Sequence, residues 1–127
     1  MLDYDEAGNV LWKVRERYSD EIFLLKQMNL NGLQKTEIHQ AEGEVRIFQK
    51  VKHLNLQSIK ESFQASGQFF VVQEFCDGGN GTIHTLNMEL RHRKNTHQPL
   101  TEFEAMTNFS QVCHGLKKMH DMRVAHR

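Results

Sequence analysis

Phe69-Phe70-Val71-Val72-Gln73-Glu74-Phe75-Cys76-Asp77-Gly78-Gly79-Asn80-Gly81 divides the chain into two kinds of pattern. The apolar run Phe69 to Val72 reads as a well-buried strand, predicted over 68–75. Asp77 to Gly81 is the strongest break in the sequence, because Gly and Asn accept backbone angles that end regular structure. Before the break the order reads β-β-α-β-β. After it the pattern is helical, so the boundary falls at Gly78-Gly79.

Working upstream, the 68–75 strand pairs with one over 56–64 around Ala65-Ser66-Gly67. Ile38, Ala41, Val45, Phe48 and Val51 recur at spacings of three and four, which predicts an amphipathic helix over 35–52. Val10-Leu11-Trp12-Lys13-Val14 alternates as a strand does. Glu21 to Lys26 reads as a second strand, with Tyr18-Ser19-Asp20 as the turn of a hairpin. Downstream, a short helix is predicted over 83–94 and a long one over 102–121. Thr101 is an N-cap with Glu104 three residues on, a capping box. Phe103, Met106, Phe109, Val112, Leu116 and Met119 form a stripe along that long helix.

Composition narrows the function classes. Of 127 residues, 39% are hydrophobic and 25% charged, the balance of a globular chain rather than a disordered one. Lys+Arg and Asp+Glu both number 16, without the basic excess of a nucleic-acid binder. No apolar run approaches the roughly 20 residues that span a bilayer. Leu2-Asp3-Tyr4-Asp5-Glu6 is acidic where a secretory leader is basic. Cys76 and Cys113 lack metal-ligand spacing and read as free thiols of a cytoplasmic protein. His92 and His97, or His114 and His120, lack the i, i+4 spacing that sets two ligands on one helix face, so no metal site is expected. Arg91-His92-Arg93-Lys94 reads as a solvated helix end.

Four features then stand in one order. Lys26 ends an apolar strand, and Glu44 lies on the following helix. An apolar strand runs through Glu74-Phe75-Cys76 into the Gly-rich break. The long helix leads to Val124-Ala125-His126-Arg127. The arrangement resembles the protein kinase fold. The phrases Leu25-Lys26-Gln27-Met28-Asn29-Leu30, Glu44-Val45, Val51-Lys52-His53-Leu54-Asn55-Leu56, Glu61-Ser62-Phe63, Val71 to Gly79 and Met119-His120 are similar to those of NIMA-related serine/threonine kinases. The resemblance covers nearly the whole chain but only the first half of a kinase domain. It implies an α+β fold: a small lobe over 1–76, with an antiparallel sheet, an incomplete first strand and one regulatory helix. A hinge over 77–81 and the first helices of a large lobe over 82–127 would follow.

The resemblance also implies roles. Lys26 would contact the α/β-phosphates of ATP. Glu44 would pair with Lys26 from a helix able to shift, as an activity switch. Gly8 would belong to the Gly-rich loop, and Val10 would cover one face of the adenine. Glu74 and Cys76 would hold adenine through a backbone carbonyl and amide, with Gln73 at the back of the pocket. His126-Arg127 would open the His-Arg-Asp loop, whose Asp takes the substrate proton. That Asp, the Asn and Asp-Phe-Gly that hold Mg²⁺, and the activation segment are expected past Arg127.

Departures from the kinase pattern carry expectations of their own. Aligning Gly8 with the third Gly of G-x-G-x-x-G-x-V sets Asp3 and Asp5 where the first two belong, and carboxylates there repel phosphates. Leu24 is bulkier than the usual Ala or Val, and Leu54 replaces the Pro of His-Pro-Asn. ATP and Mg²⁺ are therefore implied for a complete parent, whereas 1–127 alone is expected to be inactive. A protein substrate or regulatory protein is the implied partner, with no nucleic acid and no membrane. The 102–121 helix is expected to expose Phe103, Met106, Phe109 or Leu116 as a docking face. Each such burial forgone is worth roughly 1.5–3 kcal/mol, against a net domain stability of about 5–15 kcal/mol. Centrosome or cilium follows from the resemblance alone. The rival reading is a catalytically inactive, truncated or pseudokinase-like protein-binding module.

Overall fold

Alternating apolar residues before the break build a sheet, and three-and-four spacing builds the helices. The computed structural model describes residues 3–5, 7–78 and 84–126. The described residues through Lys52, with Leu56–Phe75, form one compact unit. His53–Asn55 and the described residues from Cys76 onward form a second.

The first unit is an antiparallel sheet with one helix. Its strands are β1 (Asp3–Tyr4), β2 (Val10–Arg15), β3 (Ile22–Asn29), β4 (Ile59–Ala65) and β5 (Gln68–Glu74). They lie side by side in the order β1-β2-β3-β5-β4. Helix α1 (Lys35–Lys50) connects β3 to β4. Ser66 and Gly67 both take positive φ, at 50° and 72°, between β4 and β5. Such a two-residue turn matches the right-handed twist of the strands it joins.

Leu30, Ile59, Phe69 and Val71 are buried together as a core. Met28 of β3 and Ile38, Val45 and Phe48 of α1 pack against them. The apolar stripe of α1 thus seats the helix on the sheet, as its period requires.

Several bounds differ from the sequence reading. β3 runs on to Asn29, so Lys26 lies inside the strand rather than at its end. The helix stops at Lys50; Val51 is extended, its N–H donating to the Phe48 carbonyl at 3.0 Å. Val51 is nonetheless only 3% exposed, so burial rather than helicity accounts for its place in the stripe. β4 starts at Ile59 instead of residue 56, with an irregular register between Ile59 and Glu61.

The second unit holds α2 (Leu86–Asn95) and α3 (Glu102–Asp121). Thr85 caps α2 through Met88 N–H at 3.2 Å. Ile83, where this helix was predicted to start, lies outside the described residues, as do 79–81 of the break. Gly78 is described, with φ +60°, and a Cβ there would fall 2.9 Å from the Cβ of His84. Only glycine suits both the backbone angle and that approach. The bounds of α3 agree with the sequence reading, and its capping box is formed: Thr101 Oγ1 accepts Glu104 N–H at 3.2 Å, and Glu104 Oε2 accepts Thr101 N–H at 2.8 Å.

Candidate functional site

Sheet register decides which side chains can meet. Directly opposed residues of an antiparallel pair share a face, and so do alternate residues of one strand. Leu11 opposes Lys26, and Lys26 opposes Val71. Lys13 opposes Leu24, and Leu24 opposes Gln73. These six residues lie on one face. Val10 opposes Gln27 and Trp12 opposes Leu25, on the other face, where Trp12 Nε1 donates to Gln27 Oε1 at 2.7 Å. Leu11, not Val10, therefore shares the face of Lys26. The sequence reading counted forward from Gly8, and a one-residue offset in a two-residue period reverses the side.

The loop joining β1 to β2 closes around Asp5. Asp5 N–H donates to the Asn9 carbonyl, and Gly8 N–H donates to the Asp5 carbonyl, both at 2.9 Å. Gly8 makes this closure with φ +79°, an angle that costs other residues strain. The Asp5 carboxylate then gathers donors. Its Oδ1 accepts the backbone N–H of Ala7 at 3.0 Å and of Asn9 at 2.8 Å. The Asn9 side-chain amide donates to Oδ1 at 3.1 Å and to Oδ2 at 2.9 Å. Lys26 Nζ lies 2.6 Å from Oδ2. The side chains of Lys26 and Asp5 are 29% and 22% exposed, so the pair is partly withdrawn from water. Burial raises the Asp5 carboxyl pKa, but the hydrogen bonds from Lys26 and Asn9 outweigh it and lower the value from 3.8 to about 2.

The other expected site residues are distributed as follows. The ion pair on Lys26 is with Asp5. Glu44, half-buried on α1, accepts the Gln40 side-chain amide at 3.4 Å. Leu24 is buried between Lys13 and Gln73 in the sheet. The Glu74 backbone is engaged at both ends: its N–H donates to the Ser58 carbonyl at 2.9 Å, and its carbonyl accepts the Gln57 amide at 2.8 Å. A carbonyl has two lone pairs, so one acceptor position remains. The Lys13 ammonium sits 4.7 Å from the centre of the Phe75 ring. Cys76 belongs to the second unit and is exposed. His126 is exposed, and Arg127 lies outside the described residues.

In the second unit Arg93 joins α2 to α3. Its Nε donates to Glu89 at 2.5 Å, and its two terminal nitrogens donate to the two Glu104 oxygens at 3.2 and 2.8 Å. The basic run at the end of α2 thus carries a structural cation inside it. The backbone N–H of Thr101, then Arg93, lower the Glu104 carboxyl to about 2.

Two residues beside Lys26 carry faint signals in the sequence. Asp5 reads there only as a source of repulsion. Leu11, which opposes Lys26, is the neighbour of Val10.

Residues 6–127 match the family described as "Protein kinase domain". Similar proteins include serine/threonine-protein kinase Nek3 of Mus musculus, 32% identical over 114 residues, covering 90% of this chain and 20% of that protein. Serine/threonine-protein kinase Nek5 of Homo sapiens is 31% identical over 106 residues, covering 82% of this chain and 14% of that protein. Serine/threonine-protein kinase Nek1 of Mus musculus is 28% identical over 107 residues, covering 83% and 8%. The chain therefore spans a fifth or less of these relatives. Among the described residues, no helix is long and apolar enough to cross a membrane.

Proposed function

The chain belongs to the protein kinase domain family, and from that premise we propose that it supplies the nucleotide-holding part of a NIMA-related-like serine/threonine kinase. The complete protein transfers the γ-phosphoryl group of ATP to Ser or Thr of a protein substrate in the cytoplasm. One observation carries this reading. An ammonium, two backbone N–H groups and a carboxamide already surround an anion on one face of the sheet. That donor set suits a phosphate, because it offers charge and directed N–H groups and adds no second carboxylate.

Lys26 would hold phosphate oxygens, with the N–H groups of Ala7 and Asn9 beside it. The Glu74 carbonyl and the Cys76 amide would orient adenine, and Leu11 would cover it from β2. Glu44 would hold the Lys26 side chain in its working position. When bound, ATP would supply the phosphoryl group and Mg²⁺ would neutralise its charge. Positioning and charge neutralisation provide most of the catalysis in this reaction class. Lys26 is the residue of this chain that contributes to both.

A second reading, a protein-binding module without phosphotransfer, is favoured by Asp5 on Lys26 and by the exposed apolar face of α3. ATP titration against thermal unfolding separates the two. The expected result is a concentration-dependent rise in Tm that disappears in Lys26→Ala. A rise that persists in that variant would remove the nucleotide-holding role.

A further inference from the structure

The same contacts carry a consequence for affinity, which rests on the nucleotide-holding reading. Asp5 presents two carboxylate oxygens to two backbone N–H groups, a carboxamide and an ammonium. Each of those donors is one that a phosphate group would use. Two anions cannot share one ammonium and one pair of loop N–H groups without strong repulsion. Asp5 is, moreover, attached to the loop it closes. Its local concentration is fixed by covalent connection rather than by what is dissolved around it.

We propose that Asp5 is an internal phosphate surrogate, a tethered anion that occupies the loop and Lys26 and must be displaced before the phosphates of a nucleotide can bind. The residue then acts on phosphate-bearing ligands selectively. A nucleoside without phosphates makes no demand on Lys26 or on the loop N–H groups, so its affinity is independent of Asp5. The same contacts close the loop, with Gly8 supplying the turn and Asn9 bracing both carboxylate oxygens. Asp5 thus gives the loop internal order at the expense of nucleotide affinity. If the released loop makes up no more than about a tenth of molecules, apparent ATP affinity is reduced at least ~10-fold.

The test is isothermal titration of the purified protein with ATP in metal-free buffer, and with adenosine, for the parent chain, Asp5→Asn and Asp5→Gly. Metal is left out so that no divalent ion bridges Asp5 to phosphate. Asn keeps a hydrogen-bonding side chain and removes the charge, and Gly removes the side chain. Circular dichroism verifies that each variant is folded. The expected result is a gain in ATP affinity of about tenfold or more in at least one folded variant, with adenosine affinity unchanged. Unchanged or weaker ATP binding in both variants, with adenosine still bound, overturns the surrogate role and leaves the nucleotide-holding reading standing. Failure of the parent chain and both variants to bind ATP or adenosine overturns both. An equal gain for ATP and adenosine would mean that Asp5 restricts the cleft sterically, and it also overturns the proposal.

Discussion

Asp5 orders its loop through a carboxylate that accepts from Ala7, Asn9 and Lys26. Its folded pKa, about 2, lies below the ordinary 3.8, since the Lys26 and Asn9 contacts outweigh the effect of burial. A lowered carboxyl pKa stabilises the fold above the unfolded value, and that stabilisation is lost as pH falls through the folded value. The stability difference between the parent chain and Asp5→Asn should therefore be largest above about pH 4 and shrink toward about pH 2. Urea unfolding at a series of pH values measures this directly. A difference that stays constant across the window would show that the Lys26 contact does not set the Asp5 titration. Leu11 makes a different point at the same scale. Its position next to Val10 changes nothing in composition or hydrophobicity, yet it reverses the sheet face on which the side chain stands.

Among the elements, the start of α3 is where local chemistry is most explicit. Thr101 satisfies the Glu104 N–H, Glu104 satisfies the Thr101 N–H, and Arg93 closes on both Glu104 oxygens from α2. One carboxylate therefore serves a helix cap and a helix–helix link. Thr101→Ala leaves the Glu104 N–H without its acceptor and should cost about 1 kcal/mol, within the roughly 0.5–2 kcal/mol seen for such caps. Denaturant unfolding of Thr101→Ala beside Thr101→Ser reads this out. Ser retains the hydroxyl and should recover most of the loss. If Ser is as damaging as Ala, the cap hydrogen bond is not the cause. α1 offers a contrast. Its N-terminus is also capped, Gln34 N–H donating to Glu37 Oε2 at 2.7 Å, but among the described residues no arginine joins that cap to a second helix; Ile38, Val45 and Phe48 pack the helix against the sheet core instead.

At the scale of the whole molecule, the long stripe of α3 is treated unevenly. Phe103 is 81% exposed and Phe109 62%, with Met106 and Val112 also exposed, whereas Met119 is completely buried. Residues three apart are neighbours on a helix surface, so these four form a winding apolar strip, the kind of surface that promotes association. Replacing Phe103, Met106 and Phe109 together by Ser should lower self-association of the 127-residue chain in sedimentation velocity. Each exposed substitution should change folding stability by no more than about 0.5 kcal/mol. A large loss of stability would mean that the face is already covered within the folded protein.

The sequence by itself determined the kinds and order of the elements from β2 onward; the short β1 at Asp3–Tyr4 does not read as a strand in the sequence alone. Helix period, strand alternation and the capping box at Thr101 are local properties, written in neighbours a few residues apart. The kinase family was legible for the same reason, because Lys26, Glu44 and the break after Cys76 keep their order along the chain. Only the tertiary structure decided register and partnership. A strand's period of two leaves its phase against the next strand open until both are paired, so the Val10 and Leu11 faces could not be distinguished by counting. An ion pair between residues 5 and 26 depends on how the sheet folds back on itself. The carboxylate that sequence alone set against phosphate is therefore found closing the loop, on the lysine that would otherwise hold that phosphate.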